Sequence, residues 1–234
     1  MNDRIGRTNR GLTKEDAVNH QAEPGNSLVI SYLALRRLIG MLGMAMPLVL
    51  ASGAWILQNA AIQGSISDYY HTPMRDVFVG ILCAIGVFMF SYRGYREDRL
   101  PGIIAGLAAI GVALFPVAPA GTTDPVVQGV GVVHYIFAAS FFLLLAYFSL
   151  YLFTKTDPKV PMTARKRQRN VIYRICGLAI LAALVLIAGI GLLPESVGVP
   201  VKQHAAVFWL EALAVVAFGF SWWVKGEALL ADEA

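Results

Sequence analysis

Six long apolar stretches divide the chain, at about 38–58, 76–92, 102–117, 130–153, 172–193 and 205–224, with short polar segments between them. A spanning helix needs ~20 predominantly apolar residues, because each residue rises ~1.5 Å across a hydrocarbon core ~30 Å thick. The stretches are continuous rather than alternating, and an open strand edge in lipid would leave its backbone polar groups unpaired. Each therefore predicts a helix. The stretches 76–92 and 102–117 are short, so their ends are expected to reach into the interface. The pattern predicts an all-α polytopic membrane protein of six transmembrane helices. Residues 1–30 form a disordered cytoplasmic tail in this reading, 31–226 the six-helix domain and 227–234 a cytoplasmic C-terminal tail.

The basic residues give the direction. Arg4, Arg7, Arg10, Lys14, Arg36 and Arg37 precede the first stretch, and Arg93, Arg96 and Arg99 follow the second. Lys155, Lys159, Arg165, Lys166, Arg167, Arg169 and Arg174 lie before the fifth or in its first turn, and Lys225 follows the sixth. The other side holds only Arg75 and Lys202. Seventeen against two places both termini in the cytoplasm, an N-in/C-in topology. Trp55, Tyr69 and Tyr70 then fall at the outer boundary, and Tyr92, Tyr151, Tyr173, Trp222 and Trp223 at the inner one, where amphipathic rings are favoured.

Composition agrees with lipid as the solvent: 57% of the 234 residues are hydrophobic and 15% charged. The net charge of +4 comes from basic residues in short stretches between apolar runs, which topology requires and which gives no reason to expect nucleic acid. Residues 1–27 are polar and charged and do not resemble a signal peptide. Cys83 and Cys176 sit inside apolar stretches at different depths and are expected to stay unpaired. Gly40 and Gly43, Gly102 and Gly106, and Ala212 and Gly219 are small residues that would let helices approach closely.

Within this frame His71, His134 and His204 share the extracytoplasmic side with Asp68, Asp76, Asp124 and Glu195. Glu211 lies seven residues after His204, on the same helical face and ~10 Å deeper. An ionisable group at that depth costs ~2.5–3.5 kcal/mol on insertion scales and marks either a functional site or a glutamate hydrogen-bonded to a neighbouring helix. Asp76 opens the second helix, where a carboxylate also suits the helix dipole. Residues 63–76 carry Ser67, Asp68, His71, Arg75 and Asp76 in one short connection around Pro73, far more polar chemistry than a plain connector needs. Ser67, Asp68, His71, Asp76, His134, His204 and Glu211 form the candidate pocket. His71, His134, His204 and Asp76 are zinc-type ligands, with Asp68 or Glu211 as a catalytic general base, although no His-x-x-x-His spacing is present. A haem between His134 and His204 suits their depth but such pairs are unspecific. No lysine lies within a span, which removes Schiff-base chemistry. The basic run Arg165–Arg169 enforces topology or attracts anionic lipid.

Ile66-Ser67-Asp68, Pro73, Phe78, Leu114-Phe115-Pro116, His134 and Glu211 together resemble the DRAM-like six-helix membrane proteins, over about residues 58–224. Those include autophagy modulators and factors in GPI-lipid remodelling. The chain is more similar still to bacterial membrane proteins assigned to a domain of unknown function, which implies the inner membrane of a bacterium. It departs from the DRAM-like pattern at Tyr69-Tyr70-His71. The histidines and aspartates are also similar in distribution to the alkaline-ceramidase superfamily, which uses three histidines, an aspartate and a serine, but its paired histidines on one helix are missing. Three readings follow. The first is a membrane protein that binds or organises lipid at its outer face. The second is a metal-dependent lipid hydrolase. The third is a proton-coupled transporter using Glu211, which the lack of repeats and broken helices disfavours.

Overall fold

The computed structural model describes residues 32–91, 99–156, 161–194, 196–198, 201 and 204–230. The regular elements among them are helical. They are α1 (Tyr32–Gln58), a 3₁₀ turn (Ser67–His71), α2 (Arg75–Phe90), α3 (Arg99–Leu114), α4 (Pro125–Tyr147) continued by a π-helical turn (Phe148–Leu152), α5 (Ala164–Leu192) and α6 (Ala206–Lys225). Each apolar stretch of the sequence has thus become a helix. Four of them, α1, α4 with its π turn, α5 and α6, are long and apolar enough to cross a membrane. Helices α2 and α3 have 16 residues each, about 24 Å at ~1.5 Å per residue, which is less than a full hydrocarbon core.

The helix ends follow local chemistry. Asp124 caps α4 by accepting the Val126 N–H at 2.8 Å, with Pro125 at the first helical position, where its missing N–H costs nothing. Thr163 caps α5 through the Lys166 N–H at 3.0 Å. Helix α1 begins earlier than the apolar stretch and takes in Arg36 and Arg37. Their guanidinium groups reach the carbonyls that end α6: Arg37 Nε donates to Gly226 O at 2.8 Å, and Arg36 Nη1 to Lys225 O at 3.4 Å. Those carbonyls are the ones a helix C-terminus leaves unpaired, so the cations both cap and complement the dipole. Arg169 Nη1 likewise holds Leu230 O at 3.1 Å, so residues 227–230 are fastened back onto the helices.

Each helix packs on its chain neighbours, and α1 against α6 closes the ring. Glycine sets how close that closure is: a Cβ on Gly40 would stand 2.6 Å from Gly219 O, and one on Gly219 would stand 2.6 Å from Gly40 O. Gly86 and Gly106 face each other across α2 and α3 in the same way. At one end of the bundle Phe153 packs on Trp222 and Tyr173, with ring centroids 5.2 and 5.4 Å apart, and Phe148 joins them. Such pairs contribute about 0.5–1.5 kcal/mol each beyond area burial. Leu48, Val185 and Leu192 face outward at 74%, 70% and 87% exposure, a surface suited to lipid rather than water.

Ser149 and Ser221 meet in the core at 3.0 Å. Ser221 spends its single hydroxyl proton on Phe218 O at 2.8 Å, so Ser149 is the donor between them. Cys83 is half-buried on α2 and Cys176 is buried on α5, both as free thiols. The N-terminal tail with His20, the Arg93 and Arg96 loop, Lys159, Glu195 and Lys202 lie outside the described residues.

Candidate functional site

The segment between α1 and α2 is bound into the helix ends by hydrogen bonds to three other parts of the chain. It leaves α1 at Asn59, whose positive φ of 51° turns the backbone sharply. Its first anchor is α6. Gly64 O accepts the Phe208 N–H at 2.9 Å, one of the amides that a helix N-terminus leaves unpaired. In return Ile66 donates its N–H to Glu211 Oε2 at 2.6 Å. Glu211 is half-buried, and its partner is the backbone of this loop rather than the neighbouring helix that the sequence suggested.

The second anchor is α4. His134 is buried, with Nδ1 2.7 Å from Phe115 O and Nε2 3.0 Å from Ser67 Oγ. A carbonyl only accepts, so Nδ1 carries the proton. In the neutral ring Nε2 is then the acceptor, and Ser67 donates its hydroxyl to it. The Phe115 carbonyl is free for this because α3 ends at Leu114 and Pro116 has no N–H to continue the helix.

The third anchor is the strap after α3. His71 Nε2 donates to Val117 O at 2.8 Å. Within the loop, Tyr69 is fully buried against Phe208, and its hydroxyl accepts the Gln63 N–H at 3.4 Å. Thr72 Oγ1 donates to Tyr69 O at 2.8 Å and accepts from the Met74 N–H at 3.1 Å, which ends the 3₁₀ turn. Asp68 lies beside Gly64, and its backbone N–H donates to Ser65 Oγ at 3.1 Å. On the exposed side, the Arg75 guanidinium covers the Tyr70 ring at 4.9 Å.

Ser67 and Glu211 form the polar part of the lining of a cavity in the bundle. Its other walls are apolar and include Phe78, Leu82, Phe141 and Val215. The cavity measures about 30 Å³, room for a water molecule or two and not for an acyl chain.

Of the seven residues singled out from sequence, the structure brings Ser67, Asp68, His134 and Glu211 together around this loop. His71 bonds the strap, Asp76 is exposed in the first turn of α2 and His204 is exposed just before α6. Among the described residues no three His, Cys, Asp or Glu side chains are grouped as a metal requires. The expected zinc set of His71, His134, His204 and Asp76 is therefore not assembled in this arrangement, and His134 already uses both ring nitrogens. Asp124, another outer-side acid, serves as a helix cap.

Sequence reasoning missed Tyr69 as the buried centre of the loop and missed the carbonyls of Phe115 and Val117 as partners of histidine. The one available signal was Leu114-Phe115-Pro116, because a helix that stops at proline leaves acceptors behind it. Comparison of the chain with known protein families, with characterised proteins and with solved structures finds no match.

Proposed function

We propose that this chain is a multi-pass protein of the cell membrane, with six spanning helices and both termini in the cytoplasm. In this reading its anchored loop at the extracytoplasmic face binds or organises lipid. The observation that carries it is the double tether of the loop, Ile66 to Glu211 and Ser67 to His134. These bonds hold a polar, partly charged platform over the apolar ends of the helices. Arg75 and Tyr70 lie on its exposed side, a cation and an amphipathic ring suited to a phosphate headgroup at the interface. Trp55 and Trp209, exposed near the loop-side ends of α1 and α6, fit an aromatic belt at the same level. The internal cavity is too small for a chain, so the acyl tails are assigned to the outward faces and the headgroup to the loop.

Two measurements test this reading. Membrane-impermeant thiol labelling of single cysteines at positions 71 and 204, in a chain lacking Cys83 and Cys176, is expected to mark both from outside the cell. Labelling from opposite faces overturns the topology. Native mass spectrometry of the detergent-purified protein is expected to show retained phospholipid that falls several-fold in Arg75→Glu. Equal retention in both proteins overturns the lipid platform.

A further inference from the structure

We infer that Ser67 is a nucleophile activated by His134, and that the loop site performs acyl transfer from a lipid ester to Ser67 and then to water. The inference takes its substrate class from the membrane reading above, while the Ser67–His134 pair itself stands on geometry alone.

Three relationships carry it. Ser67 Oγ lies 3.0 Å from His134 Nε2, and the tautomer set by Phe115 O makes that nitrogen a lone-pair acceptor aimed at the serine hydroxyl. A nucleophile within reach of a base that is itself oriented by a third group is the arrangement that activates serine. Here a backbone carbonyl holds the imidazole, where better-known sites use a carboxylate. Three serines that bond to the carbonyl one helical turn back show the contrast. Ser52, Ser91 and Ser140 give their protons to the carbonyl four residues earlier, at 2.6, 3.2 and 2.7 Å, and have no basic nitrogen as acceptor in those bonds. Finally, Ser67 lines the small cavity, which has room for the hydrolytic water, while the acyl chain of the ester stays outside it on the outward helix faces.

In the first half-reaction Ser67 Oγ attacks the ester carbonyl carbon and its proton passes to His134 Nε2. The carbon–oxygen bond to the alcohol breaks, and the departing alkoxide takes the proton back from His134. In the second, water attacks acyl-Ser67, gives its proton to His134, and the serine leaves with that proton as the free acid is released. No oxidant or reductant is needed.

The experiment uses the full chain in detergent micelles and a fluorophosphonate bearing a long alkyl chain. Serine displaces fluoride from its phosphorus, and the adduct is mapped by peptide mass spectrometry. The expected result is a single adduct on Ser67, abolished in Ser67→Ala and slowed about 100-fold or more in His134→Gln, the range of a lost general base. The wild-type arm decides the matter even if a variant fails to fold: no adduct, or one on another serine, overturns the inference. Unchanged labelling in a folded His134→Gln protein also overturns it. An adduct at Ser67 together with unchanged phospholipid retention in Arg75→Glu sinks the lipid platform and leaves the nucleophile standing. Lower retention in Arg75→Glu without an adduct does the reverse.

Discussion

Glu211 Oε2 accepts the Ile66 N–H at 2.6 Å, joining α6 to a loop 145 positions earlier in the chain. A carboxylate or an amide oxygen can fill that role, whereas an aliphatic side chain cannot. Glu211→Gln is expected to unfold in mixed micelles within ~1 kcal/mol of the wild type, since it keeps an acceptor. Glu211→Leu is expected to lose about 1–3 kcal/mol, because the Ile66 amide is left without a partner. Equal stability of the two variants would show that the tether contributes nothing.

The Ser67–His134 contact predicts a coupling energy. His134→Phe keeps a ring of similar size but deprives Ser67 and the Phe115 carbonyl of their partner, at about 1–3 kcal/mol for each buried group left unpaired. Ser67→Ala should cost less, because it leaves one buried atom without a partner, His134 Nε2, instead of two. A double-mutant cycle between the two positions is expected to return about 0.5–3 kcal/mol of interaction. Additive effects would separate the residues energetically.

The closure of the ring depends on two glycines. A methyl group on Gly40 would meet Gly219 O at 2.6 Å and Trp223 N at 2.7 Å, both backbone atoms that cannot move aside alone. Gly40→Ala and Gly219→Ala are each expected to destabilise the α1–α6 contact by about 1–3 kcal/mol, the usual range for overpacking. Gly80→Ala, where a Cβ meets nothing within 4 Å, is the control and should be neutral or slightly stabilising. Thermal melting of the three variants in one detergent checks the ranking.

Tyr69 makes the loop sensitive to alkali. Burial pushes its phenol above the ordinary value of 10.0, with the Gln63 N–H pulling weakly the other way. The unfolded chain therefore loses this proton first. The contribution of Tyr69 is fully present below pH ~10 and is lost as the pH climbs through its raised native value. Tyr69→Phe should shallow the fall in stability above pH ~10, measured by melting temperature against pH. An unchanged alkaline limb would place the phenol's titration outside the folding equilibrium.

How much of this was written in the chain can be judged residue by residue. Hydrophobicity is a local property, so the six apolar stretches predicted six helices; all six were read as spans, whereas among the described residues only four of the helices are long and apolar enough to cross a membrane. Apolarity did not show where α4 and α5 begin: Asp124-Pro125 and Thr163 start them ahead of the apolar stretches at 130 and 172. Glu211 was suspect from sequence because an acid among apolar neighbours needs a partner somewhere. Which partner it finds is a different kind of fact. Ile66 is 145 residues away and offers only its backbone N–H, a group every residue but proline carries. The pairing of His134 with Phe115 and Ser67 is hidden for the same reason. Three histidines on one side of the bilayer suggested convergence on a metal. The packing instead gave His71 and His134 separate carbonyl and hydroxyl partners, because an imidazole is satisfied by the nearest acceptor and donor, and only the approach of the helices determines which those are.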